Sequence, residues 1–200
     1  MVYRCRQRAL SAYIERWGFL MKRIMVIGIS AGVGKSTFAR KLGEALKIKV
    51  YHLDILYWKP YWVEASIDEF AAAQRDILNL EQWIVEGNYS NTIDIRAEYA
   101  DTIIYLELPL YVCLYRVLKR WLLNRGKTRV DMGEGCNEQM QWKFIKFIFT
   151  TYYRRKRDMS IRFQNLQTIG INKTIIRLRS KQEIHAYLQN IMSKRFSEEQ

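Results

Sequence analysis

The stretch MVIGISAGVGKSTFARKL, residues 25–42, decides the fold. A phosphate-binding loop follows the pattern G-x-x-x-x-G-K-[ST], and positions 34–36 supply its last three residues. Counting back from there places the first glycine at position 29, where the chain has Ile29, with Gly28 one residue too early. At that first position the chain only leaves the strand, whereas the later glycines must let the backbone approach phosphate. The shifted glycine therefore does not argue against a phosphate-binding loop.

The other two glycines of the stretch, Gly32 and Gly34, let backbone N–H groups turn toward an anion, and the helix that follows adds its partial positive charge. Lys35 is expected to reach the β- and γ-phosphates of ATP, and the Ser36 hydroxyl to ligate Mg²⁺. GTP is not expected, because the segment that begins at Asn172 breaks the N-K-x-D pattern at its last position. The sequence therefore predicts nucleotide binding through Gly32, Val33, Gly34, Lys35, Ser36 and Thr37.

Composition limits the class of protein. The 200 residues include 33 basic and 20 acidic side chains, a net charge of +13 that favours polyanionic partners. Three scattered cysteines offer neither a disulfide framework nor a CxxC metal site, which predicts a cytoplasmic location. No apolar run approaches the length that a membrane span requires. Residues 1–20 are basic and interrupted by arginines, so we expect an N-terminal extension, with Met21 as an alternative start, followed by one domain over 21–200.

Alternating strand and helix patterns predict an α/β protein with a three-layer α/β/α fold of the P-loop NTPase type and a five-stranded parallel sheet. A capping box, Ser66 with Glu69, marks one helix start. Strands are expected over 24–27, 49–53, 83–85, 102–108 and 174–178, and helices over 35–46, 66–78, 110–124, 138–157 and 182–192.

Two acidic residues are expected at strand ends beside the loop, because ligands of open α/β sheets bind outside the carboxyl ends of the strands. Glu86 follows an apolar strand and is expected to hold Mg²⁺ through water. Asp54 is expected to contact the acceptor or the metal and could accept the proton of an attacking hydroxyl. Alternatively, each acid only caps a neighbouring loop. Glu107, at the end of another strand, is interpreted as structural.

Several further segments occur in a recognisable order: HLDILYWKPYW (52–62), WIVEGNY (83–89), Arg96, ADTIIYLELP (100–109), CLYRVLKR (113–120) and RGKTRVDMGEGC (125–136). Together with the loop they resemble the adenylate-kinase-like P-loop proteins called DNA topology modulation proteins, or FlaR-related proteins. The resemblance runs from about Met21 to Met192 and extends more loosely to nucleoside monophosphate and shikimate kinases.

The resemblance implies a nucleoside-monophosphate-kinase-like fold with a short lid over about 125–137. It also implies that Arg120 points at the donor phosphates from a helix that carries Arg116 as well. Arg125 and Arg129 would act from the lid, with Asp131 available to pair with one of them. The resemblance implies catalytic roles for Arg120, Arg125 and Arg129, which we add to Lys35 and Asp54.

The acceptor side follows from the same resemblance. Arg96 matches an acceptor-phosphate arginine, but Gly-Asn-Tyr after the third strand departs from adenylate kinase, so AMP is not implied. The aromatic residues of segment 57–62 lie around Lys59, where they either sandwich a planar acceptor or form a hydrophobic pad. The two histidines, His52 and His185, are interpreted as structural. The predicted acceptor-binding residues are Asp54, Trp58, Asn88 and Arg96.

The basic run YYRRKR, residues 152–157, allows two interpretations: cations at a helix C-terminus or a nucleic-acid patch. No recognised DNA- or RNA-binding motif accompanies it. The function predicted is an ATP-dependent phosphotransferase that moves the γ-phosphate to an unidentified small acceptor. Two alternatives stay open: a nucleotide-binding regulator of DNA topology with weak or no kinase activity, and a slow ATPase switch.

Overall fold

The computed structural model of the protein describes residues 21–126, 132, 135–137 and 142–198. The strands are β1 (Arg23–Gly28), β2 (Val50–His52), β3 (Trp58–Lys59), β4 (Val63–Glu64), β5 (Trp83–Glu86), β6 (Thr102–Leu106) and β7 (Thr174–Leu178). The helices are α1 (Lys35–Leu46), α2 (Leu53–Tyr57), α3 (Ile67–Leu78), α4 (Ile93–Tyr99), α5 (Leu110–Asn124), α6 (Trp142–Thr168) and α7 (Lys181–Glu198), with short 3₁₀ turns at Pro60–Trp62 and Ser90–Thr92. The N-terminal extension, Arg129, Asp131 and most of the expected lid lie outside the described residues.

The main sheet has five parallel strands in the order β2-β5-β1-β6-β7. All residues of β5 and β6 are buried, as are the last five of β1. A strand buried at every position needs cover on both faces of the sheet, which the helices between the strands provide. The fold is therefore the predicted α/β arrangement with helices on both sides of a parallel sheet.

The carboxyl ends of the strands meet at one edge of the sheet. In the register of the central strands, Val26 of β1 pairs with Glu86 of β5, and Gly28 pairs with Leu106 of β6. β2 joins the same edge through its pair His52 and Glu86. The loop between β1 and α1 leaves from this edge, which is where open parallel sheets bind their ligands.

Several predicted elements are confirmed with their bounds. Helix α3 begins after Ser66 with the predicted capping box: the Ser66 Oγ accepts the Glu69 N–H at 3.2 Å, and the Glu69 Oε2 accepts the Ser66 N–H at 2.9 Å. Helices α1 and α5 and strand β7 have the predicted limits. Local patterns are sufficient for elements of this kind.

Other elements differ from the prediction. The strand expected over 49–53 ends at His52, and Asp54 lies in the first turn of α2 rather than at a strand end. The β3–β4 hairpin was not predicted because its turn residues Tyr61 and Trp62 adopt positive φ (63° and 64°) without the glycine or asparagine that usually signals such a turn. Helix α6 continues to Thr168, past the predicted end at 157.

Within the described ranges, none of the helices is both long enough and apolar enough to cross a membrane.

Candidate functional site

The loop between β1 and α1 ends at a helix N-terminus that has no side-chain cap. Gly34 occupies the N-cap position with φ of 102°, no side chain caps the helix, and the first turn contains no acidic residue. Ser30 is fully buried, and its hydroxyl has no hydrogen-bond partner among the described residues. A helix start with free N–H groups and an orphaned buried hydroxyl fits an anionic ligand such as the phosphates of ATP.

The shifted glycine has a steric reason. A Cβ at Gly28 would lie 2.6 Å from the Val33 Cγ1 and 3.2 Å from the Leu106 carbonyl oxygen. Ile29, in contrast, is fully buried and extends the pairing of β1, since its N–H donates to the Leu106 carbonyl at 2.9 Å. This chain therefore needs its glycine at position 28, where the end of β1 packs closely against Val33 of the loop.

Gly32 serves a contact that the sequence does not reveal. Its φ is 77°, and a Cβ there would lie 2.2 Å from the Cys113 carbonyl oxygen of α5. The sequence explained this glycine by backbone approach to phosphate. The structure adds that the loop packs directly on α5 at this point, so that helix sets the position of the loop.

Lys35 and Glu86 meet at the edge of the sheet. The Lys35 Nζ lies 3.8 Å from the Glu86 Oε1, and both side chains are largely buried. The other carboxylate oxygen, Oε2, lies 3.0 Å from the His52 Nδ1. His52 was interpreted as structural, yet it contacts the same carboxylate as Lys35. Its position at the end of β2, two residues before Asp54, was the only signal in the sequence.

Ser36 and Glu86 are the predicted Mg²⁺ residues. Ser36 is half-buried in the first turn of α1, and Glu86 is 5% exposed. The described residues contain no group of three or more acids, histidines or cysteines that could enclose a metal ion. The role of Ser36 and Glu86 at Mg²⁺ stays a prediction.

Helix α5 brings its arginines toward the loop. The Arg116 guanidinium donates to the Val33 carbonyl at 2.9 Å. Arg120, one turn further along α5, is half-buried. Arg125 follows the last turn, is exposed, and lies over the Trp121 ring at 5.8 Å from its centroid. Arg116 is thus the arginine of α5 that contacts the phosphate-binding loop. The roles of Arg120 and Arg125 at the phosphates stay predictions.

The residues after β5 connect the two halves of the site. The Asn88 Oδ1 accepts the Gly28 N–H at 2.9 Å, at the start of the loop. The Tyr89 hydroxyl donates to the Asp54 Oδ1 at 2.7 Å. Burial, with the Asp54 charge added, raises the pKa of Tyr89, so the phenol remains a hydrogen-bond donor. Asp54 is therefore oriented by a neutral tyrosine beside the loop.

Trp58 belongs to a group of packed aromatic rings. Its ring centroid lies 5.0 Å from that of Tyr57 and 5.2 Å from that of Trp62, both in edge-to-face geometry. Tyr57 in turn contacts Phe70 and Tyr89. Mutual packing agrees with the hydrophobic-pad interpretation, and Trp58 itself remains half-buried, so a contact with an acceptor stays a prediction.

Arg96 is completely buried on α4. One terminal nitrogen donates to the Gln74 Oε1 at 2.8 Å and to the Thr92 Oγ1 at 3.0 Å, and the other to the carbonyls of Gly87 and Tyr89 at 3.4 and 3.2 Å. Burial lowers the pKa of Arg96 to about 9. In this structure the side chain holds the loop after β5, and its contact with an acceptor phosphate stays a prediction.

Replacing Arg96 with methionine is expected to lower the free energy of unfolding by about 3 kcal/mol or more, because it leaves several buried oxygens without donors. Arg75→Met, at an exposed position on α3, is the matched control and should change it by less than about 0.5 kcal/mol. Urea unfolding of both variants measures the difference. Equal stability of the two variants would show that Arg96 does not hold the loop.

Two arginines of α6 enter the site and were missed by the sequence analysis. Arg155 and Arg162 line a small cavity together with Gly28, Asn88 and Ser90. The sequence placed residues 152–157 at a helix end or on a nucleic-acid patch. The helix-end interpretation is wrong because α6 runs on to Thr168. The spacing of seven residues between the two arginines, which puts them on one helix face, was the available signal.

The sequence matches no protein-family model, and no curated protein is detectably related to it. Solved structures do match its fold. Shikimate kinase from Acinetobacter baumannii in complex with shikimate gives a TM-score of 0.51 at 12% identity, covering 94% of this chain and 98% of that one. Shikimate kinase from Bacteroides thetaiotaomicron gives 0.50 at 14% identity, covering 88% and 99%. At such identities the likeness shows the P-loop kinase fold alone, and the resemblance to DNA topology modulation proteins stays an expectation.

Proposed function

We propose that the protein is an ATP-dependent phosphotransferase that moves the γ-phosphate to an unidentified small acceptor, with Mg²⁺ as cofactor. The observation that carries the proposal is the meeting of Lys35 with Glu86, 3.8 Å apart, beside a helix N-terminus without a side-chain cap. The fold shared with two shikimate kinases supports it.

On the donor side, bound MgATP supplies the phosphoryl group. The N–H groups of residues 32–37 and the Lys35 ammonium would neutralise phosphate charge, which is the main contribution a protein makes to phosphoryl transfer. Ser36 would ligate the metal directly and Glu86 through water. Arg120, Arg125 and Arg129 would add positive charge when the lid closes.

On the acceptor side, Asp54 would accept the proton of the attacking hydroxyl. The neutral Tyr89 hydroxyl, 2.7 Å from the Asp54 Oδ1, would keep that carboxylate in one orientation. Asn88, Trp58 and Arg96 would complete the acceptor site, Arg96 by holding the loop that carries Asn88.

A transfer assay with γ-labelled ATP tests the proposal. Candidate acceptors are nucleotides, nucleosides, hydroxy acids, sugar phosphates and small alcohols, each compared with water. We expect at least one acceptor to gain label faster than water does, and this gain to disappear in Asp54→Asn. If no acceptor exceeds water, the transferase proposal fails.

Glu86→Gln provides a test of the metal role. Removing the charge should raise the MgCl₂ concentration needed for half-maximal turnover by about tenfold to a hundredfold. The same change frees Lys35 from its acidic partner, so ATP without Mg²⁺ should bind at least as tightly as before. A metal role thus predicts weaker binding of Mg²⁺ but no weaker binding of metal-free ATP. If Glu86→Gln weakens the binding of both Mg²⁺ and ATP, Glu86 has a structural role instead.

A nucleotide-binding regulator of DNA topology is the second candidate function. The observation in its favour is the charge of α5 and α6, whose sequences contain ten lysines and arginines and one acid. Exposed aromatic residues, among them Tyr115, Phe149 and Tyr153, accompany these cations. Retention on DNA at 50 mM salt that falls steeply by 200 mM would support it. Absence of retention at 50 mM salt would exclude direct DNA binding.

We further propose a cytoplasmic location, which the free thiols of Cys113 and Cys136 support.

A further inference from the structure

Arg155 and Arg162 of α6 carry charges that no carboxylate of the described residues compensates. Neither forms an ion pair with an acid of the described residues, whereas Lys156 and Arg157 of the same helix do. Lys156 pairs with Glu107 at 3.0 Å, and Arg157 contacts Asp158 at 3.2 Å. Arg154 also lacks such a partner but is exposed, so Arg155 and Arg162 are the two half-buried arginines of α6 without an acid among the described residues.

The surroundings make this positive charge costly. Burial lowers the pKa of Arg155, and the charges of Arg162 and Arg154 lower it further. The guanidinium of Arg162 also lowers the pKa of the fully buried Arg96, whose Nε has no hydrogen-bond partner among the described residues. Like charges that are partly removed from water raise the free energy of the folded protein, and an anion among them would lower it.

The cavity between these residues sits beside the phosphate-binding loop. Its polar lining comes from Arg155, Arg162, Asn88 and Ser90, and the rest from Gly28, Ile27, Ile93 and Met159. Gly28 is the residue from which the loop departs. Its volume of about 20 Å³ has room for one water-sized group, such as one oxygen of an anion. The rest of the ligand would extend from the cavity mouth into the crevice.

We propose that Arg155 and Arg162 bind the anionic group of the phosphoryl acceptor, a phosphate monoester or a carboxylate. Planar guanidinium groups match both anions with paired hydrogen bonds. This inference rests on the proposed function, because only a phosphotransferase has a phosphoryl acceptor. It narrows the substrate class to small molecules with one hydroxyl to be phosphorylated and one acidic group. Neutral alcohols and nucleosides fall outside that class.

The position of the arginines explains how such an acceptor would be oriented. Asn88 is bonded to the Gly28 N–H, so the cavity and the start of the loop share one polar contact. Asp54 accepts a hydrogen bond from the hydroxyl of Tyr89, the residue that follows Asn88 in the loop after β5. An acceptor fixed at its anionic end by α6 would direct its hydroxyl toward Asp54 and the bound nucleotide.

The binding experiment uses the full-length protein, saturated with a non-hydrolysable ATP analogue so that the phosphate-binding loop is filled. Inorganic phosphate is then titrated by calorimetry. We expect a saturable site whose dissociation constant rises about tenfold or more in Arg155→Gln and in Arg162→Gln. Arg157→Gln, exposed on the same helix, is the control and should stay within about twofold of wild type.

Two results would overturn the inference. One is phosphate binding that is unaffected by both substitutions, and the other is loss of all phosphate binding once the nucleotide analogue fills the loop. Arg162→Lys guards against misfolding, since it keeps the charge but not the paired hydrogen bonds. We expect it to bind phosphate several-fold more weakly than wild type, with an unchanged melting temperature.

The same titrations separate this inference from the proposed function. If the analogue binds but phosphate binding ignores the arginines, the inference fails and the proposed function stands. If wild-type protein does not bind the analogue, the proposed function fails, and titration of the free protein still decides whether the arginines form an anion site. In the transfer assay, hydroxy acids and phosphate monoesters are run as separate arms to identify the anion.

Discussion

Replacing Lys35 with methionine is expected to lower the rate of phosphoryl transfer from ATP by about a hundredfold to a thousandfold, the usual effect of removing one charge-stabilising group from a transition state. The Lys35 side chain is only 14% exposed, so its charge acts on a bound phosphate with little screening by water. Single-turnover measurements with labelled ATP give the rate. Lys41→Met, at an exposed position on the same helix, is the control and should leave the rate within about twofold of wild type.

The loss of rate should occur without loss of structure. In Lys35→Met the Glu86 carboxylate keeps its contact with His52, 3.0 Å away, so we expect a melting temperature close to that of wild type. If the melting temperature of Lys35→Met falls together with the rate, Lys35 has a structural role. A rate that stays within about threefold of wild type would remove Lys35 from the site.

Elements with strong local signals were predictable from the sequence. The glycine loop and α1 follow from one motif, and α3 follows from its capping box at Ser66. Five strands of apolar, β-branched residues separated by amphipathic segments are sufficient to predict a parallel sheet. The meeting of Lys35 with Glu86 was also predictable, because parallel strands bring their carboxyl ends to one edge.

The remaining elements depend on contacts between distant parts of the chain. Helix α4 has seven residues, too few for a clear periodic pattern, and its Arg96 contacts Gln74 and the loop after β5. Asp54 was expected at a strand end because nothing local distinguishes the end of β2 from the first turn of α2. These positions follow from tertiary packing, which overrides weak local preference.

The site residues that the sequence analysis missed share this origin. His52 was interpreted as structural because no other candidate metal ligand accompanies it in the sequence. Its partner in the structure is the Glu86 carboxylate of the neighbouring strand. Arg155 and Arg162 belong to a helix whose predicted end lay at residue 157, within the basic run. Their relation to Asn88 arises only when α6 folds back over the sheet.

The importance of the loop's position can be tested without any ligand. Gly32→Ala is expected to lower the free energy of unfolding by about 2–5 kcal/mol, the sum of a left-handed backbone cost and an overpacking cost. Gly126→Ala is a matched control, since the two glycines have similar φ of 77° and 71°. A Cβ at Gly126 meets no described atom within 4 Å, so only the backbone cost of about 1–2 kcal/mol applies there.

The difference between the two variants isolates the contact between the loop and α5. At Gly32 the new methyl group would lie 2.2 Å from the Cys113 carbonyl oxygen and 2.9 Å from the Val117 side chain, so the loop or the helix must move. Because Arg116 on that helix donates to the Val33 carbonyl, such a movement would also displace the phosphate-binding N–H groups. We therefore expect Gly32→Ala to weaken binding of the ATP analogue even at temperatures where it remains folded. Equal losses of stability in urea unfolding would mean that backbone conformation alone requires glycine at position 32.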